Sequence, residues 1–335
     1  MNTLNLFHVD VFSAGPLSGN GLCVFLHTEG WSASSMQRLT QEMKQFESIF
    51  LAEISPSGAS ARIFTVEEEL PFAGHPVLGA AAVLHHTQTP EVAEGTWRLR
   101  LAIGEVAAST TKIGTHYRAE MNQGVALIGD TIVGERLLPI LDRLSLSAHD
   151  LVPGADPQVI STGLPYLIVP VRADALARAA IEGADLETQL AELGAKFVLV
   201  LDVEGRELRT WDNHGRVEDV ATASAAGPVG AYLFGHGLAD PALPIELAQG
   251  RFAGRPSTLT VRRDGNDNLL VSNQTMGDLR RLPYCSVFSP VRAVAHSRVR
   301  SAPTQSVASD VKSRIGHAGP WRPPCKRRRR GVRQA

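Results

Sequence analysis

The chain is short of cysteine, of aromatic side chains and of long apolar runs, and each shortage closes a door. Only three of the 335 residues are cysteines, Cys23, Cys285 and Cys325, and aromatics make up 6%. An odd number of thiols without ligand spacing supports neither a disulfide framework nor a zinc site. It points to a reducing, cytoplasmic setting. No apolar stretch approaches the roughly 18–20 residues that a membrane-spanning helix needs. The segment Met1–Asn5 has neither the basic nor the apolar region of a signal peptide. No G-x-G-x-x-G follows a strand-like run, so the fingerprint of a nicotinamide site is missing. His85 and His86 are adjacent, which on a helix points them about 100° apart. No carboxylate cluster accompanies them, and neither a metal nor a cofactor is expected.

What is present is an ordinary globular body joined to an unusual end. Hydrophobic residues make up 44% and charged residues 20%, enough for one large core or two domains of about 150 residues each. The formal net charge of −1 conceals an asymmetry. Residues 280–335 hold 14 Lys and Arg and one acid, Asp310, whereas residues 1–279 hold 19 basic and 33 acidic residues. The acidic body gives no reason to expect a nucleic-acid partner. From about Gln274 periodicity disappears, and Lys326 to Arg330 form a basic run. The segment 274–335 is expected to be a disordered basic tail. A nucleic-acid-binding arm and an out-of-frame extension are the other readings.

The most informative stretch is Arg62 to Pro76. An apolar strand, Arg62-Ile63-Phe64, runs through an acidic turn into Phe72-Ala73-Gly74-His75-Pro76, and the small residues Leu78 to Leu84 follow as a helix. A strand that turns through glycine onto a helix start presents unpaired backbone N–H groups at the positive end of the helix dipole, a ready site for a carboxylate. About 150 residues later the plan recurs, with Val217 to Gly227 leading into a helix at Pro228–Gly235. The body therefore reads as an internal duplication, with two helix starts facing each other across an anion pocket. Elsewhere the patterns predict strands at 4–12, 22–26, 46–52, 61–65, 96–101, 104–110, 116–121, 158–161, 167–171, 197–201 and 207–211. They predict helices at Ser32–Lys44 and Ala173–Leu193.

Six motifs in order resemble the PhzF family, the phenazine biosynthesis-like proteins of the diaminopimelate epimerase fold. They are Val9-Asp10-Val11-Phe12 with Leu17-Ser18-Gly19-Asn20; Glu47-Ser48-Ile49-Phe50; Arg62 through Pro76; Ser161-Thr162-Gly163-Leu164-Pro165; Glu218-Asp219 through Gly227; and Gln249-Gly250 with Gly254-Arg255-Pro256-Ser257. The resemblance spans about residues 4–272. It implies an α/β (α+β) fold of two similar domains, 1–125 and 126–273, each a mostly antiparallel, barrel-like sheet around a central helix, and a homodimer. It further implies a cofactor-independent isomerase that moves a proton within a small carboxylate-bearing metabolite, as in isomerisation of trans-2,3-dihydro-3-hydroxyanthranilate. An epimerase of amino-acid-like substrates and an inactive binding paralogue are the alternatives.

Glu47 stands where this family places its general acid/base. The physics agrees, since a carboxylate on an apolar strand is desolvated and its pKa rises towards the working pH. The resemblance makes His75 a donor to substrate or a helper in proton delivery, and Asp219 an orienting or capping acid. Ser224 would bind the substrate carboxylate together with the backbone N–H groups of Gly74 and Ala225. The turns that carry paired cysteines in related racemases hold Gly74 and Ala223-Ser224 here, which removes a two-thiol mechanism. Two departures stand out. Val220 replaces the family's usual proline, and Ala223 replaces a glycine, where a methyl group meets a backbone expected to need positive φ or close approach. The closing strand of the family also gives way to the basic tail after Asn273, which would leave a sheet edge open.

Overall fold

The computed structural model describes residues 4–13, 15, 18–183, 186–275 and 282–284. The first half opens with an antiparallel pair, β1 (Leu4–Val11) and β2 (Asn20–Leu26). Helix α1 (Ala33–Met43) starts at Ser32, whose hydroxyl accepts the Ser35 N–H, and ends at Lys44 in the left-handed region. Its apolar face packs Met36 and Leu39 over Phe25, Phe50 and Phe64. Strand β3 (Glu47–Ser55) lies parallel to β2, and β4 (Gly58–Thr65) returns antiparallel to β3. The short β5 (Glu69–Leu70) leads into α2 (Gly74–Gln88). An antiparallel meander follows, made of β6 (Glu94–Leu101), β7 (Gly104–Ile113) and β8 (His116–Val125), with β6 parallel to β4.

The second half repeats this order of steps. After β9 (Leu127–Thr131) and α3 (Leu138–Arg143) come the antiparallel strands β10 (Gln158–Ser161) and β11 (Pro165–Val171). Helices α4 (Ala173–Leu176) and α5 (Leu186–Glu192) precede β12 (Phe197–Asp202), which is parallel to β11. Strand β13 (Glu207–Thr210) is antiparallel to β12 and leads to α6 (Ala223–Gly235). The meander β14 (Ile245–Gln249), β15 (Ser257–Arg263) and β16 (Asn268–Thr275) ends the half, with β14 parallel to β13. Each half is thus an antiparallel pair, a parallel step, an antiparallel return, a helix and a meander. The fold is a pair of similar α/β domains, each a mostly antiparallel, barrel-like sheet around a central helix.

The central helices explain the small residues. From Gly74 to His85 every residue of α2 is buried, as befits a helix enclosed on all sides. At Gly79 a Cβ would overlap Leu22, Val11 and Val9, so glycine lets the helix sit against β1 and β2. Helix α6 is buried along most of its length, through Ala225, Ala226, Val229, Tyr232 and Leu233 among others.

Two expectations are corrected. The helix expected over 173–193 is broken into α4 and α5, because the chain after Leu176 bonds elsewhere: Arg209 donates to the Leu176 and Ala179 carbonyls, and the Ala180 and Glu182 N–H groups donate to the Leu144 and Arg143 carbonyls. The folded body does not stop at 273. Strand β16 runs to Thr275, antiparallel to β8, and β17 (Leu282–Tyr284) pairs with β1 from Leu4↔Tyr284 to Leu6↔Leu282. The edge expected to be left open is therefore covered by residues from the segment assigned to the tail. The remainder of that segment, 276–281 and 285–335, lies outside the described residues. Among the described residues no helix is long and apolar enough to cross a membrane.

The N-termini of α2 and α6 meet. A Cβ on Gly74 would stand 2.5 Å from the Cβ of Ala223 and 3.5 Å from the Ser224 nitrogen. Ala223 has a helical backbone and needs no positive φ, so its methyl group is accommodated by the absence of a side chain at Gly74. Gly74→Ala should therefore lower stability by about 1–3 kcal/mol in urea unfolding. Adding Ala223→Gly to that variant should recover most of the loss, which a backbone effect confined to position 74 would not allow.

Candidate active site

Glu47 is the first residue of β3 and faces inward at only 5% exposure. Burial, helped by the like charge of Asp219, pushes its pKa up to about 8. His75, the second residue of α2, is also 5% exposed, and burial pushes its imidazole down to about 3. His75 Nδ1 lies 3.2 Å from Glu47 Oε2. Near neutrality this is therefore a carboxyl group beside a neutral imidazole. Glu47 Oε2 and His75 Nε2 have no hydrogen-bond partner within the protein, although both are buried polar atoms of the kind that normally find one.

Asp219 lies in the loop before α6, half-buried. Its Oδ1 accepts from Asn20 Nδ2 (3.0 Å) and the Ala221 N–H (3.2 Å), and its Oδ2 accepts from the Thr222 hydroxyl (2.6 Å). Burial raises its pKa, and these bonds act in the opposite direction. Gln249 completes the cage, donating to the Asp219 carbonyl and to the Thr222 hydroxyl and accepting the Thr222 N–H. The preceding Glu218 is clamped by the buried Arg209 through two bonds of 2.9 and 2.7 Å. Arg255 binds Asp10 (2.6 Å) and the Gly19 carbonyl (2.8 Å). Asp10, Gly19, Asn20, Gln249 and Arg255 carried the sequence resemblance without an assigned role. They form the joint between the halves next to Asp219.

Ser224 is the second residue of α6, and its hydroxyl lies 2.8 Å from that of Tyr166. It does not cap the helix. Thr222 is the N-cap residue, without a side-chain cap bond. The N–H of Ala225, expected to bind a carboxylate, donates instead to the Thr222 carbonyl. Helix geometry leaves the N–H groups of Ala223 and Ser224 as donors at this end, and those of Gly74 and His75 at the other, since Pro76 has none. The structure brings Glu47, Gly74, His75, Asp219 and Ser224 together, whereas the Ala225 N–H is engaged within the helix.

A cleft of about 320 Å³ opens beside this cluster, lined among others by Asn20, Phe46, Asp219, Val220 and Arg255. A second cleft of about 510 Å³ beside Trp31 holds charges already joined to one another, Arg62 with Glu69 and Arg100 with Glu53. His85 and His86 are structural. His85 bonds Thr110 and the Val92 carbonyl, and His86 packs against Phe7 and Tyr117. Cys23 is fully buried on the opposite face of β2 with Phe25 and Phe50, and burial pushes its thiol up to about 12.

Asn20, Tyr166 and Gln249 were not singled out by sequence reasoning. The motifs containing or adjoining them were the available signal.

Comparison with known proteins identifies the family. The family model of the phenazine biosynthesis-like proteins matches residues 9–274. A trans-2,3-dihydro-3-hydroxyanthranilate isomerase of Pseudomonas chlororaphis is 30% identical over 81% of this chain and 94% of its own length. An uncharacterized isomerase of Salmonella typhimurium is 29% identical over 81% and 95%. Among solved structures, a predicted epimerase from Pseudomonas aeruginosa superposes with a TM-score of 0.80 at 48% identity, covering 84% of this chain and 99% of that one. A PhzF-family protein of Bacillus anthracis shares the fold with a TM-score of 0.70 at 21% identity, over 82% and 97%. The chain belongs to the PhzF family of phenazine biosynthesis-like proteins, and with it to the isomerases.

Proposed function

We propose that this isomerase shifts a proton between two carbons of a small carboxylate-bearing metabolite of the trans-2,3-dihydro-3-hydroxyanthranilate class, with Glu47 as the acid/base. The buried Glu47–His75 contact carries the reading. A desolvated carboxyl with a pKa of about 8 takes and returns a proton at neutral pH with little bias. Glu47 takes a proton from one carbon and, after exchange with solvent, returns one to another, so the reaction balances without a cofactor. His75 stays uncharged and helps orient the carboxyl. The two helix starts, with the Ser224 hydroxyl, hold the substrate carboxylate.

Epimerisation is the second reading, favoured by the 48% identical predicted epimerase. It needs a second acid/base group on the opposite face of the substrate. Asp219 is close enough to act on Glu47 electrostatically, but Asn20, Ala221 and Thr222 already engage its oxygens. It serves best as a fixed charge, which leaves both proton transfers to Glu47.

Incubation in D2O with trans-2,3-dihydro-3-hydroxyanthranilate should place deuterium at one carbon of the product, read by NMR. Glu47→Gln should slow this by about 10²–10⁴-fold. Turnover with undiminished rate in Glu47→Gln would remove Glu47 from the mechanism.

With Glu47 as the base in the free enzyme, kcat/KM should rise about tenfold per pH unit and level off near pH 8. Asp219→Asn removes the like charge and should move that inflection to lower pH, whereas a purely substrate-binding Asp219 would leave it in place.

The same burial governs stability. A raised folded-state pKa means that the folded protein binds the Glu47 proton more tightly than the unfolded chain does. This contribution is complete below pH 4.5 and is lost as pH rises to about 8. Glu47→Gln should therefore raise Tm at pH 9, with an advantage that shrinks towards pH 5.

A further inference from the structure

We propose that Tyr166 is a positioning residue that holds the Ser224 hydroxyl as a donor to the substrate carboxylate. The inference rests on the carboxylate reading of the helix starts given above.

Tyr166 sits on β11, opposite Ile160 of β10 and alongside Phe197 of β12. It is 3% exposed, and its ring packs on Phe197 with centroids 5.5 Å apart. A buried phenol with a polar tip needs a partner, and the oxygen of Tyr166 lies 2.8 Å from Ser224 Oγ. Burial raises the phenol's pKa, and the nearby Asp219 and Glu47 charges act in the same direction. Tyr166 therefore keeps its proton throughout the working range and has it to donate.

A serine hydroxyl has one proton to give and lone pairs to accept with. When Tyr166 donates to Ser224 Oγ, the Ser224 proton is released for another acceptor and the rotor is held. The result is a donor chain, phenol to hydroxyl to carboxylate, in which each bond polarises the next. The same hairpin steadies the helix start from a second side. Thr162 donates to Gln123 (3.0 Å), whose amide donates to the Ala223 carbonyl (2.8 Å). The β10–β11 motif thus grips the first turn of α6 at two consecutive residues, one through the backbone and one through the side chain that faces the ligand.

The test uses the full chain with Tyr166→Phe, Ser224→Ala and the double variant, each checked for an unchanged circular dichroism spectrum. Binding of two probes, anthranilate and anthranilamide, is measured by titration calorimetry. Tyr166→Phe should weaken anthranilate by roughly three- to tenfold, leave anthranilamide within twofold, and add nothing in the Ser224→Ala background. Equal weakening of both probes, or full additivity with Ser224→Ala, would reduce Tyr166 to a packing residue. If wild-type protein binds both probes equally and Ser224→Ala changes neither, the carboxylate reading fails, and the role of Tyr166 falls with it. A Tyr166→Phe effect confined to anthranilamide would overturn the donor chain while leaving Ser224 in place.

Discussion

The architecture turns on one contact, the meeting of two buried helix starts at Gly74 and Ala223. Each helix brings the positive end of its dipole and unpaired N–H groups to the same place. Like ends repel, and buried donors without acceptors cost free energy. The contact is stable only with negative charge beside it. Asp219 supplies part of that charge, anchored across the joint by Asn20. A substrate carboxylate would supply the rest. The duplication therefore does more than repeat a unit. It creates an electrostatic demand at the seam, and the proposed reaction is set where that demand is met.

Glu47 and His75 show the corresponding cost. Both are removed from water without a full set of partners, which drives both towards their uncharged forms. Burial also raises the Asp219 pKa, but its bonds to Asn20, Ala221 and Thr222 act against that rise and hold the side chain in place. Two carboxylates a short distance apart thus sit in different surroundings. Scaffold rigidity from the Arg209–Glu218 clamp keeps that difference intact in a region that would otherwise relax.

Local features were legible in the sequence where a short window carries the cause. The buried run from Val77 to Leu84, the helix between Ser32 and Lys44 and the recurrence of a strand, turn and small-residue helix are of this kind. So is Glu47, whose apolar neighbours announce its burial. Features set by distant partners were not legible. Asn20 gains its meaning from Asp219, 199 residues away, and Tyr166 from Ser224, 58 residues away. The engagement of the Ala225 N–H was not legible either, because the donors left at the start of α6 depend on which N–H groups the Thr222 carbonyl takes. The helix expected over 173–193 gave way after Leu176, where Arg209 and the backbone of Arg143 and Leu144 take the chain's polar groups. Strand β17 has only three residues, too few for a period to register, and its role comes from β1 at the other end of the chain.

That last pairing carries a consequence for how the protein is made. The first barrel contains strands encoded almost at the N-terminus and strands encoded beyond residue 268, since β16 joins β8 and β17 joins β1. At about 5–20 residues per second, the ribosome needs roughly 8–30 s to add the 150 residues that separate β8 from the end of β16. Through that interval β1 and β8 present unpaired edges around a finished apolar helix. The nascent first half is thus a partly open sheet that depends on its own distant end, and its maturation is timed by translation of the second half.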